Sequence, residues 1–81
     1  MANKPQKTFY SVLVTGTDTI KVIDVETGAI KRSLKLGGKI SSSPVVVGDR
    51  ATIIVDGPAG KRKGYIYTLP ALVQTYSFNL A

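Results

Sequence analysis

The 81-residue sequence contains no cysteine, no histidine and no tryptophan. Without cysteine there is no disulfide staple, no thiolate nucleophile and no Cys-based metal site. Without histidine the usual general base and the commonest metal ligand are gone as well. Acidic residues are few: five Asp and Glu stand against eleven Lys and Arg, a net charge of +6. No apolar run approaches the roughly 20 residues of a membrane-spanning helix. The basic start, residues 1–7, is not followed by a signal-peptide core, because the apolar stretch 9–14 is short and polar Thr15 and Gly16 follow at once. A product used or assembled inside a cell, with no signal peptide, is expected.

Apolar residues make up 43% of the chain, too many for a disordered basic tail. A chain this short buries only about 60% of its unfolded surface, and with no disulfide or metal to reinforce it, association with other chains is the remaining support. Every periodic segment reads as strand. Residues 9–15 are rich in aromatic and β-branched types and stop at Gly16. Residues 19–25 alternate up to the turn signal Glu26-Thr27-Gly28, and residues 29–36 alternate up to Gly37-Gly38. Residues 44–47, 50–55, 65–69 and 73–80 follow, separated by Gly48-Asp49, Asp56-Gly57-Pro58 and Pro70. The fold class expected is all-β: an antiparallel meander of about seven short strands with no helix.

The chain also repeats itself. Val12-Leu-Val-Thr-Gly16 aligns with Ile53-Ile-Val-Asp-Gly57 at an offset of 41. After a three-residue insertion, Val22-Ile-Asp-Val25 aligns with Ile66-Tyr-Thr-Leu69 at an offset of 44, which also sets Ser33, Leu34 and Leu36 on Ser77, Phe78 and Leu80. A period near 40 with three or four strands per unit is that of a propeller blade. The division expected is an N-terminal arm (1–8), a first, incomplete repeat (9–38) and a second repeat (39–81) within one domain. Recurrence at corresponding positions predicts a core of Val12, Val14, Ile20, Val22, Leu34, Ile53, Val55, Ile66, Phe78 and Leu80.

Ile20-Lys-Val-Ile-Asp-Val-Glu-Thr-Gly28 resembles the strand and turn of quinoprotein-like (PQQ-repeat, WD40-like) β-propeller blades. Lys39-Ile-Ser-Ser-Ser-Pro-Val-Val-Val-Gly-Asp49 resembles the segment that opens the following blade. The resemblance covers roughly residues 9–80 and implies about two blades. It is not complete: the Trp that commonly follows the Thr-Gly turn is missing, Lys31-Arg32-Ser33 replaces a greasier run, and Pro70-Ala71 stands where Thr-Gly is expected. The first repeat lacks an innermost strand unless residues 4–8 supply it. A quinone or calcium site needs a full ring and acidic ligands, so neither cofactor nor dehydrogenase activity is carried over.

Catalytic constellations are absent. Ser41-Ser42-Ser43 has no histidine to act as base, and its hydroxyls fit backbone groups in the loop before Pro44. Asp18, Asp24, Glu26, Asp49 and Asp56 lie on separate turns with no calcium-loop spacing, and Asp24 is placed to cap its own turn. Residues 57–64 superficially suggest a phosphate loop, but Pro58 and the strand that follows leave no helix N-terminus behind it. No catalytic, metal or cofactor residue is therefore expected.

The positive charge is clustered. Lys61-Arg62-Lys63 is expected at a mobile hairpin tip, while Lys31, Arg32, Lys35 and Lys39 follow along a strand and turn. Lys61, Arg62, Lys63, Lys31, Arg32 and Lys35 are the candidate partner-binding residues, for an acidic protein surface or, non-specifically, nucleic-acid phosphate. The alternative for these cations is a solvated face that deters stray strand pairing. No aromatic residue is interleaved with them to stack bases, and no amphipathic helix supports membrane binding.

A propeller closes with about four to eight blades, more than this chain supplies. Completion by oligomerisation follows, and with it a non-enzymatic structural or assembly protein, homo-oligomeric and in contact with other structural proteins. By fold-level analogy a virion part suits it, a phage tail, neck or decoration component located in the virion or host cytoplasm. The alternative is a small carbohydrate- or protein-binding module using Tyr10, Tyr65, Tyr67 and Tyr76.

Overall fold

A computed structural model describes residues 8–80. The strands are β1 (Tyr10–Thr15), β2 (Thr19–Asp24), β3 (Ile30–Lys35), β4 (Lys39–Ile40), β5 (Val45–Val47), β6 (Arg50–Asp56), β7 (Arg62–Thr68) and β8 (Val73–Asn79). The only helical element among the described residues is a 3-10 turn at Pro58–Gly60. All pairings are antiparallel. The first sheet has the order β1-β2-β3. In the second, β6, β7 and β8 run side by side, and β4 and β5 share the remaining edge of β6. Among the described residues neither a closed barrel nor a closed propeller is formed.

The all-β expectation holds, with two differences. An eighth strand, β4, is only two residues long and flanked by Gly38 and Ser41, so no alternation marks it in the sequence. The second difference is that β7 begins at Arg62 rather than at Tyr65, because Arg62 and Lys63 pair with Asp56 and Val55. Residues 1–7, and with them most of the expected arm and of the stretch 4–8, lie outside the described residues.

The internal repeat is visible in the hydrogen-bond ladders. The β2–β3 pairs Thr19↔Lys35, Ile20↔Leu34, Lys21↔Ser33, Val22↔Arg32 and Ile23↔Ile30 correspond, 44 residues on, to Lys63↔Asn79, Gly64↔Phe78, Tyr65↔Ser77, Ile66↔Tyr76 and Tyr67↔Gln74. The bulge falls between Val22 and Ile23 in one and between Ile66 and Tyr67 in the other. The turn after it is also shared. Gly28 N donates to Asp24 O and Leu72 N to Thr68 O, each at 2.8 Å, with φ of 75° and 57°. Beyond the ladders, Leu36 N donates to Asp18 O and Leu80 N to Arg62 O. Only the first strand differs from the sequence alignment. Val12 faces Val22 and Thr52 faces Ile66, so β1 and β6 correspond at an offset of 40, one residue short of the alignment on Gly16 and Gly57.

The two sheets share one apolar core of Val12, Ile20, Val22, Leu36, Ile40, Ala51, Ile53, Val55, Tyr67, Leu69 and Leu72. Ile20, Val22 and Ile53 are wholly enclosed, worth roughly 1.5–3 kcal/mol each in burial. A backbone bond joins the sheets at their junction, with Ile40 N donating to Thr17 O at 2.8 Å, while Ser41 N donates to Ile54 O at 3.0 Å to prolong the β4–β6 ladder.

Five of the ten expected core residues are buried (Val12, Ile20, Val22, Ile53 and Val55), and Val14 and Leu34 pack against them in part. Ile66, Phe78 and Leu80 are not core: Ile66 is half-buried, and Phe78 and Leu80 are 36% and 45% exposed. The reason is geometric. The first sheet buries the face that carries Val12, Ile20, Val22 and Leu34, whereas the second buries the face that carries Ala51, Ile53, Val55, Tyr65 and Tyr67. These are opposite faces of equivalent strands. Ile66, Phe78 and Leu80 match Val22, Leu34 and Leu36 in the repeat, and that match puts them on the far side of the second sheet.

Candidate functional site

Alternation in β6 leaves Thr52 and Ile54 facing away from the core, and register adds Ile66, Tyr76, Phe78 and Val73 from β7 and β8, with Val45 and Val47 from β5. Of these, Val45, Val47, Val73, Tyr76 and Phe78 are exposed. On the first sheet the open face carries apolar residues interspersed with Ser11, Thr15 and Lys21. Leu13 and Ile23 alternate with core residues, Ile30 lies opposite Ile23, and Val25 N donates to Phe9 O to extend the ladder. Phe9, Leu13, Val25 and Ile30 are each more than half exposed. Contiguous apolar surface of this kind on a small protein marks an interaction site. Its signal in the sequence is the two-sided strand: Val12-Leu13-Val14 and Ile53-Ile54-Val55 are apolar at successive positions, as in strands covered on both faces.

The six candidate basic residues are spread over β3, the β6–β7 connection and β7, with Lys35 and Lys63 lining one cleft. Lys31, Arg32 and Lys35 lie on β3, which has one unpaired edge among the described residues. Lys35 Nζ stands 3.9 Å from Asp18 Oδ2, an exposed pair of small energetic value. Lys61 alone belongs to the β6–β7 connection, where Gly57 N donates to Lys61 O and Ala59 takes φ 61°. Arg62 and Lys63 are successive strand residues and so face opposite sides of the sheet. Arg62 Nε is 3.4 Å from Asp56 Oδ1, its register partner, and Lys63 Nζ sits 5.7 Å from the centre of the Tyr65 ring. The expected mobile three-cation tip is thus one loop lysine followed by two strand cations with separate partners.

A cleft of about 890 Å³ opens where the sheets diverge. One wall is the end of β3 with Leu36, Gly37 and Gly38; the other is Val55, Asp56 and the inward side chains of Lys63, Tyr65 and Tyr67, closed by Leu72 and Gln74. Gly38 permits the close approach, since a Cβ there would come within 2.7 Å of Val55 Cγ1 and 2.8 Å of the Asp56 carbonyl oxygen. The Tyr65 and Tyr67 rings are tilted by 37° with centres 6.2 Å apart. Burial, helped by the neighbouring Tyr65, pushes the Tyr67 hydroxyl above its usual range, so it remains a neutral donor at physiological pH. Of the other candidate tyrosines, Tyr10 packs against the core and Tyr76 lies on the open face of the second sheet.

Ser41 Oγ donates to Ile54 O at 3.4 Å, and Ser42 and Ser43 line a small recess with Val14 and Ile40. Asp24 Oδ1 accepts from the backbone N–H of Glu26 at 2.9 Å and of Thr27 at 3.3 Å, capping the turn as its position in the sequence suggests. Asp18 accepts from Thr19 Oγ1, and Asp49 lies 3.7 Å from Arg50 Nε. Among the described residues no group of three or more metal-ligating side chains converges, and no helix is long and apolar enough to cross a membrane. The chain matches no family model, no curated protein and no solved structure.

Proposed function

We propose that this chain is a non-enzymatic structural protein that works by assembling with copies of itself through its sheet faces, as a virion component such as a tail, neck or decoration protein does. The observation that carries the reading is the set of large apolar side chains on the open face of each sheet, Phe9, Leu13, Val25 and Ile30 on one and Val45, Val47, Val73, Tyr76 and Phe78 on the other, which a lone chain leaves in contact with water. A small domain without disulfide or metal gains most from covering such faces with another chain. Lysine and arginine on the edge strand β3 keep that edge from pairing indiscriminately while the faces do the joining. Light scattering at micromolar concentration tests this: a mass several times 8.6 kDa is expected, and a stable monomer contradicts it. Recovery from purified particles at a fixed stoichiometry would place the protein in a virion.

A second reading, a carbohydrate- or protein-binding module, is favoured by the cleft, where Tyr65, Tyr67 and Gln74 offer ring surface beside a polar group. Glycan-array binding by a monomer, lost on Tyr65→Ala, is its test.

A further inference from the structure

We infer that copies of this chain join head to tail, the open face of the second sheet in one copy stacking on the open face of the first sheet in the next. The inference rests on the assembly reading and specifies its geometry. It continues across a chain boundary the sheet-on-sheet interface already formed within the chain. In that internal interface the first sheet presents Val12, Val14, Ile20, Val22 and Leu34, and the second answers with Ala51, Ile53, Val55, Tyr65 and Tyr67. By ladder register, the first set corresponds in the second sheet to Thr52, Ile54, Gly64, Ile66 and Phe78. The second set corresponds in the first sheet to Ser11, Leu13, Thr15, Lys21 and Ile23. Those are the two open faces. Each is therefore the counterpart of a face that is already mated, and the two are counterparts of opposite sides of one junction.

Particular positions support the match. Leu13, 51% exposed, stands where Ile53 is fully buried, and Val25, 59% exposed, stands where Leu69 is 8% exposed. On the other face Leu80 stands where Leu36 is buried. The Ile20–Leu34 pair at the centre of the internal interface becomes Gly64–Phe78, with the Phe78 ring lying over Gly64 in the space a larger side chain would take. Apolar bulk is thereby kept at the same point of the face while its source moves to the neighbouring strand.

A junction between two different faces does not cap itself. It yields a ring if the rotation per sheet closes and a filament if it does not. A ring of about four to eight sheets corresponds to two to four copies of a two-sheet chain.

The test is complementation between Leu13→Asp (L13D), which spoils only the first-sheet face, and Phe78→Asp (F78D), which spoils only the second-sheet face. Far-UV circular dichroism checks that each is folded, with Val25→Asp and Leu80→Asp as replacements on the same two faces. Native mass spectrometry is expected to find each variant monomeric alone and a 1:1 pair, twice the mass of one chain, on mixing. If either folded variant alone assembles as the wild type does, or if the mixture stays monomeric, the head-to-tail junction is wrong and the assembly reading survives in another geometry. If the wild type is itself monomeric, the assembly reading fails and takes this junction with it.

Discussion

The two sheets share their ladder register, their bulge and their left-handed turn, yet they use these features differently. In the first, Gly28 occupies the φ > 0 position of an exposed turn, as glycine does without steric cost. In the second the same position is Leu72, a residue that pays a steric penalty there of about 1–2 kcal/mol and offsets it by being buried. The first sheet buries Ile20 against Leu34; the second sets Phe78 over Gly64 on a face that stays open. Equivalent backbone positions therefore do not have equivalent energies. When repeats stack in series, each one buries against its neighbour the face that its neighbour leaves open, and the end units expose what the interior conceals.

The sharpest way to break this comparison is at Ile53 and Leu13, which are equivalent in the ladders. Ile53→Ala should destabilise the isolated subunit by about 2–5 kcal/mol. Leu13→Ala should stay within about 0.5 kcal/mol under the same conditions. Urea denaturation below the assembly concentration reads both, and equal losses would show that the two positions do not differ in burial as assigned.

A smaller effect is expected at Gly64. A Cβ there collides with the Phe78 ring, so Gly64→Ala should cost about 1–3 kcal/mol through overpacking. Combining it with Phe78→Leu, which approaches the Ile20–Leu34 arrangement, should recover most of that loss, and a double-mutant cycle measures the coupling. Additive losses in the cycle would mean that ring and glycine do not share the site. Phe78→Ala alone should cost well below the about 3–5 kcal/mol of a buried aromatic, because the ring is 36% exposed in the single chain.

The smallest effect concerns pH. Tyr67 is held neutral mainly by burial, so its folded-state pKa lies above its unfolded value of 10.0. The folded state binds the proton more tightly. The stability this represents is fully present below about pH 10 and is lost as pH rises from there through the folded value. Tyr67→Phe should flatten that decline, and chemical denaturation repeated as pH rises above about 10 reads it; a decline of unchanged slope in the variant would show that Tyr67 is not its source.

Much of the fold is legible in the sequence because its punctuation is chemical. Gly16, Gly28 and Gly48 all take positive φ at turns, and of the strands between them β2 and β5 are rich in β-branched residues. The repeat is legible too, since Val22 and Ile66, or Leu34 and Phe78, keep apolar character at corresponding positions. What is hidden is the direction each repeat faces. With Ile53, Ile54 and Val55 all apolar, alternation cannot say which side is covered, and a one-residue slip in aligning β1 with β6 exchanges the two sets. The start of β7 is hidden for another reason. Lys61-Arg62-Lys63 between glycines has the composition of a loop, and the pairing of Arg62 with Asp56 and of Lys63 with Val55 draws its last two residues into a strand. The cleft depends on where Gly37-Gly38 meets Val55 and Asp56, a contact between segments far apart in sequence.

The absence of cysteine makes the central claim open to one direct measurement. Leu13→Cys, Phe78→Cys and Lys61→Cys each introduce a single thiol, on the first-sheet face, the second-sheet face and the loop respectively. Maleimide labelling rates are then followed as protein concentration rises through assembly. Serial stacking predicts that the thiols at positions 13 and 78 become protected together, over one concentration range, while the thiol at position 61 labels at a constant rate. Protection of one face with the other still reactive at saturation would contradict it.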